Sequence, residues 1–334
     1  MEDVVSAAER RQWRLQEKLK RELGPVVLEA LATPDVVEIM LNPDGRIWVD
    51  VFGIGMHDTG ARMTADQAES LLGTVAMMLN TVVNAEHPIL EGELPMNGSR
   101  IGGLIPPIVS NPTFAIRKRA GHVYTLAHYM RSGSLRVEQA EILRTAVRAR
   151  ENILIVGSTG SGKTTFANAL LSEISSRASP NERIVILEDT VELQCSAVNR
   201  VELRTTDKAD MTQLLRTTMR LRPDRIIVGE VRGAEALVLL KAWNTGHPGG
   251  ITTIHANGCH AALVRLEQLI QEANVPPQPR LIAEAVDLVV WIVRTPIGRR
   301  IEGITKVRGW TPETGYQFLD LARARLGQPS QSVT

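Results

Sequence analysis

A glycine-rich segment near the middle of the chain has the residue types and spacing of a phosphate-binding loop. It matches G-x-x-x-x-G-K-[ST] and is followed by Thr165; its members are Gly157, Ser158, Thr159, Gly160, Ser161, Gly162, Lys163 and Thr164. The glycines let backbone N–H groups turn toward nucleotide phosphates, and the lysine reaches the β- and γ-phosphates. The Thr164 hydroxyl is the expected Mg²⁺ ligand. The segment therefore predicts nucleotide binding with Mg²⁺.

Two further apolar runs end in carboxylates that would act on the same nucleotide. Glu230 follows the run 225–228 and a glycine, and Glu188 and Asp189 follow the run 184–187. Parallel strands collect their carboxyl ends at one edge of a sheet, where ligands of α/β proteins bind. We expect Glu230 to orient or activate water, with Glu188 assisting, and either glutamate to hold Mg²⁺ through water. A solvated carboxylate is the alternative for Glu230, and a turn or helix cap for Asp189.

The elements that must position these residues fall into two parts. From about residue 138, apolar strand patterns alternate with helical ones, which is typical of βαβ units and a mostly parallel sheet. Earlier residues mix helices with antiparallel strands. The patterns there predict helices over 9–31 and 64–84, a hairpin of 36–41 and 46–51, and strands near 100–105 and 113–118. The predicted fold is α/β, with an α+β domain over 1–120, a linker over 121–136, a P-loop domain over 137–327 and a disordered tail over 328–334.

Charge and cysteine content exclude several classes of protein. Lys and Arg number 38 and Asp and Glu 37, so the net charge of +1 creates no overall field for nucleic acid or anionic lipid. Cys195 and Cys259 lie far apart without a C-x-x-C pattern, which supports neither a zinc ribbon nor a disulfide scaffold. No apolar stretch reaches the roughly 20 residues of a spanning helix. We expect a folded, cytoplasmic protein.

The order of the motifs resembles the secretion ATPases of type IV secretion and conjugation systems. The segments GSTGSGKTT, ILEDTVEL, RLRPDRIIVGEVRG and TTIHAN follow that family's order, and the similarity extends from about Pro34 to Arg294. NPDGRIWVD, NGSRIGGLIPP and the compact length are most similar to the conjugal transfer branch. The sequence lacks the tetracysteine zinc motif of type II secretion ATPases.

The resemblance implies an architecture and partners. It implies a RecA-like ATPase domain, an N-terminal sensing or oligomerisation domain, and a homohexameric ring with ATP between the two domains. Such a motor would work in the cytoplasm with other components of a conjugation or secretion channel. A peripheral position at the cytoplasmic face of the inner membrane is compatible with this resemblance. Its hydrolysis would energise pilus assembly or DNA or protein transfer.

The resemblance also implies roles for one histidine and three arginines. His255 matches the family's histidine motif, near the γ-phosphate or in relaying its state around the ring; a satisfied core histidine is the alternative. Arg117 resembles the family's nucleotide-contacting arginine and would stabilise the transition state. Arg100 and Arg222 lie in similar family segments. A surface or salt-bridged arginine is the alternative for each.

Two other functions stay open at the level of sequence. A pilus-retraction ATPase would use the same chemistry, and a DNA-stimulated RecA-like translocase would need basic loops that carry aromatic residues. The basic run 117–119 has no interleaved aromatic residue, so we expect no specific nucleic acid binding. The basic helix around Trp13 is compatible with a membrane surface, a partner or an ordinary surface helix.

Overall fold

The computed structural model describes residues 7–51, 54–118, 123–177, 179–295 and 298–323. The chain divides into two compact units, residues 1–122 and 123–334. The second unit thus begins inside the stretch suggested as a linker, because Leu126 and Tyr129 of a short helix there are buried in its core. The proposed tail over 328–334 lies outside the described residues.

Among its described residues, the first unit combines two helices with one antiparallel sheet. Its elements are α1 (Ala7–Ala32), β1 (Val36–Leu41), β2 (Arg46–Val51), β3 (Gly55–Arg62), α2 (Ala65–Met78), β4 (Ile89–Glu93), β5 (Arg100–Leu104) and β6 (Thr113–Arg117). The strand order is β3-β2-β1-β6-β5-β4, and every neighbouring pair is antiparallel. The predicted hairpin is confirmed as β1 and β2, while β3 and β4 were not predicted.

Both helices of this unit depart in detail from the sequence prediction. α1 is interrupted at Gly24, whose φ of 72° and ψ of 169° are not helical, and the next residue is Pro25, which has no N–H to donate. α2 ends at Met78 rather than near residue 84, and Asn80 just beyond it has a left-handed φ of 56°. The apolar faces of both helices cover the sheet, and the buried core they form includes Leu19, Leu23, Val27, Leu71, Leu72 and Val75.

The second unit alternates strands and helices as the sequence predicts. Its elements are α3 (Leu126–Arg131), α4 (Val137–Arg148), β7 (Ile153–Gly157), α5 (Lys163–Arg177), β8 (Ile184–Glu188), β9 (Arg200–Arg204), α6 (Met211–Thr218), β10 (Arg225–Val228), α7 (Glu235–Asn244), β11 (Ile251–His255), α8 (Cys259–Gln271), α9 (Pro279–Ala285), β12 (Leu288–Thr295), β13 (Gly298–Thr311) and β14 (Gly315–Arg323). A 3-10 turn at Met219–Leu221 follows α6.

The sheet of this unit has the order β14-β13-β12-β7-β11-β10-β8-β9. Strands β12, β7, β11, β10, β8 and β9 pair in parallel, whereas β13 and β14 add an antiparallel hairpin at one side. Strands β9 and β12 and this hairpin were not predicted from the sequence. In the part of the chain that the structure describes, six of the eight strands of this sheet therefore form the predicted parallel arrangement.

Helices cover both faces of this sheet. In β7, Ile153 and Ile155 face the core formed with α3, α4 and α5, whereas Leu154 and Val156 face the core formed with α6 to α9. Burial on both faces explains why β7, β8 and β10 are continuous apolar runs rather than alternating ones. Helices packed on both faces hold these strands in place, and the loops that follow the strands start from their carboxyl ends.

Candidate active site

The strand order places four predicted residues or loops side by side. Strands β7, β11, β10 and β8 are consecutive neighbours in the sheet and run in the same direction. In register, His255 at the end of β11 lies opposite Gly157 at the end of β7. Glu230 comes two residues after β10, and Glu188 ends β8. The P-loop, the histidine and both glutamates therefore meet at one edge of the sheet.

The P-loop is tightly built around its glycines. A Cβ on Gly157 would lie 2.5 Å from the carbonyl oxygen of Ile292 and would also collide with the Ser161 hydroxyl. Gly160 and Gly162 have φ of 71° and 94°, which other residues adopt only with strain. The Ser161 side chain is fully buried, and its Oγ has no hydrogen-bond partner among the described residues. A buried, unsatisfied hydroxyl beside this loop fits a phosphate ligand.

Helix α5 begins at Lys163, directly after the loop. Thr164 and Thr165 are half-buried in its first turn, where the backbone N–H groups of a helix have no partner within the helix. This turn therefore offers amide donors and the positive end of the helix dipole to an anion. Ser158 and Thr159, earlier in the loop, are exposed.

Lys163 is buried, and its ammonium group connects the loop to the next strand. Its Nζ donates to the carbonyl oxygens of Gly157 at 3.1 Å and Ser158 at 3.2 Å. The same atom lies 3.2 Å from Nδ1 and 3.3 Å from Nε2 of His255. The lysine is thus held at the base of the loop, close to the histidine.

Glu230 is held between a histidine and an arginine. Its Oε2 accepts from Nε of Arg232 at 2.8 Å and from Nη2 at 2.5 Å. Its Oε1 lies 2.8 Å from Nε2 of His255, but this buried oxygen makes no aligned hydrogen bond with any residue that the structure describes. The glutamate side chain is only 16% exposed, so it is not the solvated carboxylate of the alternative interpretation.

The pKa of the Arg232 guanidinium is shifted upward by its acidic neighbours. Burial lowers the pKa, but the hydrogen bond and charge of Glu230, with the charges of Asp189 and Glu192, together raise it above its usual value. Sequence reasoning did not single out Arg232, although it stands two residues after the glutamate in GEVRG. A cation this close to a candidate catalytic carboxylate was the available signal.

His255 is not a core histidine. Its side chain is 46% exposed, while Ile251 to Ile254 of the same strand are buried. The ring stands between Nζ of Lys163 and Oε1 of Glu230, within about one hydrogen-bond length of each. It therefore joins the phosphate-binding loop to the carboxylate.

The two acidic residues at the end of β8 have different positions. Glu188 is buried, and its Oε1 accepts from the backbone N–H groups of Glu192 at 2.9 Å and Leu193 at 2.8 Å. Asp189 is exposed, and its Oδ1 accepts from the Thr205 hydroxyl at 3.0 Å. Glu188 thus holds the loop that follows β8, and Asp189 contacts the residue after β9.

Two residues that the sequence analysis left out fix the acidic loop in place. The Thr253 hydroxyl donates to the carbonyl of Gly229 at 2.9 Å, and the N–H of Val231 donates to the carbonyl of Thr253 at 3.0 Å. A Cβ on Gly229 would lie 3.1 Å from Cγ of Glu188, so the glycine leaves room for the Glu188 side chain. These contacts hold Glu230 from both sides of its backbone.

The three candidate arginines belong to other segments of the chain than the strand ends that carry the P-loop, His255 and the two glutamates. Arg100 and Arg117 belong to the first unit, where they face each other across β5 and β6. Arg222 is exposed, has a left-handed φ of 54°, and comes just before β10 begins. It therefore lies at the amino edge of the sheet, opposite the edge that carries the P-loop.

Comparison with known proteins identifies the family of this chain. The model of the family described as "Type II/IV secretion system protein" matches residues 27–315. The chain belongs to this family. It is 53% identical to a probable conjugal transfer protein TrbB of Sinorhizobium fredii, over 88% of this chain and 90% of that protein. It is 34% identical to the type IV secretion system protein PtlH of Bordetella pertussis, over 79% and 87% respectively.

The fold is also shared with a solved structure of the ATPase DotB from Legionella pneumophila. The two chains are 18% identical, with a TM-score of 0.62, over 88% of this chain and 79% of that one. As a member of the type II/IV secretion family with an intact P-loop and acidic strand ends, the chain is a secretion ATPase of the type IV and conjugation kind. The resemblance drawn from its motifs is confirmed.

The residues present fit a Mg²⁺ ion beside bound phosphates. The start of α5 and the ends of β8 and β10 offer the Thr164 hydroxyl and the carboxylates of Glu188 and Glu230, and Mg²⁺ prefers oxygen ligands. The buried, unaligned Oε1 of Glu230 is an oxygen that a water on the metal would satisfy. The oxygen ligands of this chain therefore suit a Mg²⁺ ion that is bound together with a nucleotide.

No helix among the described residues is long and apolar enough to cross a membrane.

Proposed function

We propose that this secretion ATPase hydrolyses Mg²⁺-ATP as a hexameric motor of a conjugation or type IV secretion system. The observation that carries the proposal is the row formed by the P-loop, His255, Glu230 and Glu188 at one sheet edge. The relationship to conjugal transfer proteins supports the choice of system. The ring would act at the cytoplasmic face of the inner membrane with other channel components, and would energise pilus assembly or DNA or protein transfer.

In the proposed mechanism, binding falls to the loop and chemistry to the strand ends. The loop amides and Lys163 would hold the β- and γ-phosphates, and Thr164 would hold Mg²⁺, which would supply charge neutralisation at the phosphates. Glu230 orients a water molecule and accepts its proton as the water oxygen attacks the γ-phosphorus. The bond between the γ-phosphorus and the β–γ bridging oxygen then breaks, and ADP leaves with that electron pair.

The contacts around Glu230 suit such a role. Arg232 fixes Oε2, and His255 approaches Oε1, so the carboxylate cannot rotate freely. Glu188 would share the water shell of the metal. We assign Arg117, with Arg100, to charge stabilisation of the transferring phosphoryl group; the family resemblance supports this assignment, and it predicts that Arg117→Ala lowers kcat.

The first test replaces Glu230 by Gln, which keeps the size and removes the proton acceptor. We expect ATP turnover to fall by about 100-fold or more with nucleotide binding retained, because general-base catalysis contributes roughly 10²–10⁴-fold. ATP hydrolysis, nucleotide titration and size-exclusion light scattering with Mg²⁺-ATP would measure turnover, binding and assembly. Glu138→Gln, a change at a side chain that is 78% exposed on α4, is the matched control.

The outcomes separate the motor from other functions. A wild-type protein that binds ATP as a monomer without hydrolysing it would point to a nucleotide-switched binding module and overturn the proposal. Turnover that rises strongly with added DNA would instead favour a DNA-stimulated translocase. Pull-down of pilus-retraction components rather than conjugation components would reassign the system while leaving the chemistry intact.

A further inference from the structure

An arginine outside every sequence motif lies against the P-loop. Arg299 is the second residue of β13 and is half-buried. A Cβ on Gly162 would lie 2.6 Å from Cδ of Arg299 and 2.9 Å from its Nε. The Arg299 side chain therefore lies against Gly162, in space that a side chain at position 162 would fill.

The sheet topology explains how a residue so distant in sequence reaches the loop. β12 is parallel to β7, so it ends at the same edge of the sheet as the P-loop. β13 pairs antiparallel with β12 and begins at that edge, with Arg299 opposite Arg294. The start of the hairpin thus lies beside the loop, and β12 itself approaches it through the carbonyl of Ile292.

The adjacent arginine has a different environment. Arg300 is exposed, and its Nη2 pairs with Glu302 at 2.6 Å. Consecutive residues of a strand point to opposite faces, so Arg299 faces the loop and Arg300 faces away from it. The charge of Arg299 is also felt at buried Tyr129: burial raises the pKa of this tyrosine, and Arg299 partly opposes that shift. Tyr129 packs edge-on against Phe166 of α5, 5.2 Å between ring centroids.

The orientation of the triphosphate in the proposed site follows from the positions of the reacting groups. Lys163, His255 and Glu230 place the γ-phosphate on the side of β7 that faces β11 and β10. β12 and β13 lie on the other side of β7. A triphosphate with its γ-end toward Glu230 therefore directs its α-phosphate toward Gly162 and the hairpin.

We infer that Arg299 binds the α-phosphate of the nucleotide. The inference rests on the proposed ATP-binding function and extends it to a residue that belongs to no phosphate motif. The α-phosphate keeps its charge throughout hydrolysis, so this contact is equally strong in the ground state and the transition state. Arg299 accordingly raises affinity and does not accelerate the chemical step.

The test compares two ligands that share three phosphates. ATP and inorganic tripolyphosphate would be titrated with Mg²⁺ into the full chain carrying Arg299→Ala or Arg299→Gln, with Arg300→Ala as the matched control. We expect both Arg299 variants to bind both ligands roughly 10- to 100-fold more weakly, since a hydrogen bond to a charged group has about that value. KM for ATP should rise by a similar factor with kcat within about twofold. Arg300→Ala should behave as wild type.

Three results would overturn the inference. Unchanged affinity of either folded variant for both ligands would show that Arg299 does not bind phosphate. Weaker binding of ATP alone would place the contact on the ribose or base. If Arg299→Ala fails to fold, as judged by its thermal unfolding without ligand, the Arg299→Gln variant decides the result. A wild-type protein that binds neither ligand would overturn the proposed function itself, and the inference with it.

Discussion

At the scale of single residues, His255 joins the two halves of the proposed chemistry. Its Nδ1 lies 3.2 Å from Nζ of Lys163, and its Nε2 lies 2.8 Å from Oε1 of Glu230. In the proposed mechanism, Lys163 holds the γ-phosphate and Glu230 acts on the attacking water. A change at the lysine would therefore be felt at the carboxylate through a single side chain.

We predict that His255→Ala lowers kcat by roughly 10- to 100-fold, as expected when the support of a catalytic group is removed, while KM for ATP changes little. Steady-state ATP hydrolysis over a range of ATP concentrations would measure both constants. His57→Asn, on an exposed strand of the first unit, is the control. A rise in KM with unchanged kcat would instead make His255 a binding residue and remove its link to Glu230.

At the scale of elements, Asn152 and Asp287 fasten the amino ends of three central strands. The backbone N–H of Asn152 donates to Oδ2 of Asp287 at 2.8 Å. The side-chain amide of Asn152 donates to the carbonyl of Ala285 and accepts from the N–H of Gly250. Asp287 precedes β12 and Asn152 precedes β7. Burial raises the pKa of the Asp287 carboxyl; the hydrogen bond from Asn152 lowers it, the charge of Glu151 raises it and Lys306 lowers it, with a net shift upward.

This shift predicts a pH-dependent effect of Asp287→Asn. A carboxyl whose pKa is higher when folded binds more protons in the folded state, so its contribution to stability falls as pH rises through the window above its ordinary value of 3.8. The asparagine variant avoids that loss and should unfold a few degrees higher than wild type at pH 7, with the difference shrinking toward pH 4. Thermal unfolding across pH, with Asp207→Asn as control, would measure this. A lower midpoint at pH 7 would contradict it.

At the scale of the whole molecule, the position of Arg222 bears on assembly. The residue lies at the amino edge of the sheet, whereas the P-loop and Glu230 occupy the carboxyl edge. The backbone from residue 225 to 230 alone spans about 17 Å at roughly 3.3 Å per residue. Arg222 therefore cannot reach the P-loop of its own chain, and any role in hydrolysis must be played toward a neighbouring copy.

Mixing two inactive variants tests this consequence of a ring. If Arg222 completes a neighbour's site, Lys163→Ala and Arg222→Ala proteins, each of low activity, should recover activity when mixed. Random mixing in equal amounts would give about a quarter of wild-type turnover, because heterologous contacts pair each P-loop with the next subunit. Lys163→Ala mixed with Glu230→Gln is the matched control and should recover nothing, since both residues serve the same chain's site. No recovery in the first mixture, with assembled rings, would remove Arg222 from the site.

Several features of the site could be predicted because they are local in sequence. The spacing of glycines, Lys163 and Thr164 specifies a loop at the start of a helix, and an apolar run ending in a carboxylate specifies a strand end. The hairpin of β1 and β2 was predicted from the turn residues between two β-rich runs. The end of α2 was misplaced, because the left-handed conformation of Asn80 is not encoded by any apolar periodicity.

The sequence by itself determined the kind of protein: a P-loop ATPase with a second acidic strand and a smaller α+β unit before it. It did so because phosphate binding depends on a few adjacent residues whose backbone forms the site. Only the tertiary structure decided which distant side chains meet at that loop. Strand order brings His255 between Lys163 and Glu230, pairs Arg232 with the carboxylate and lays Arg299 over Gly162. Pairing between strands far apart in the chain is set by packing on both faces of the sheet, which no local pattern contains.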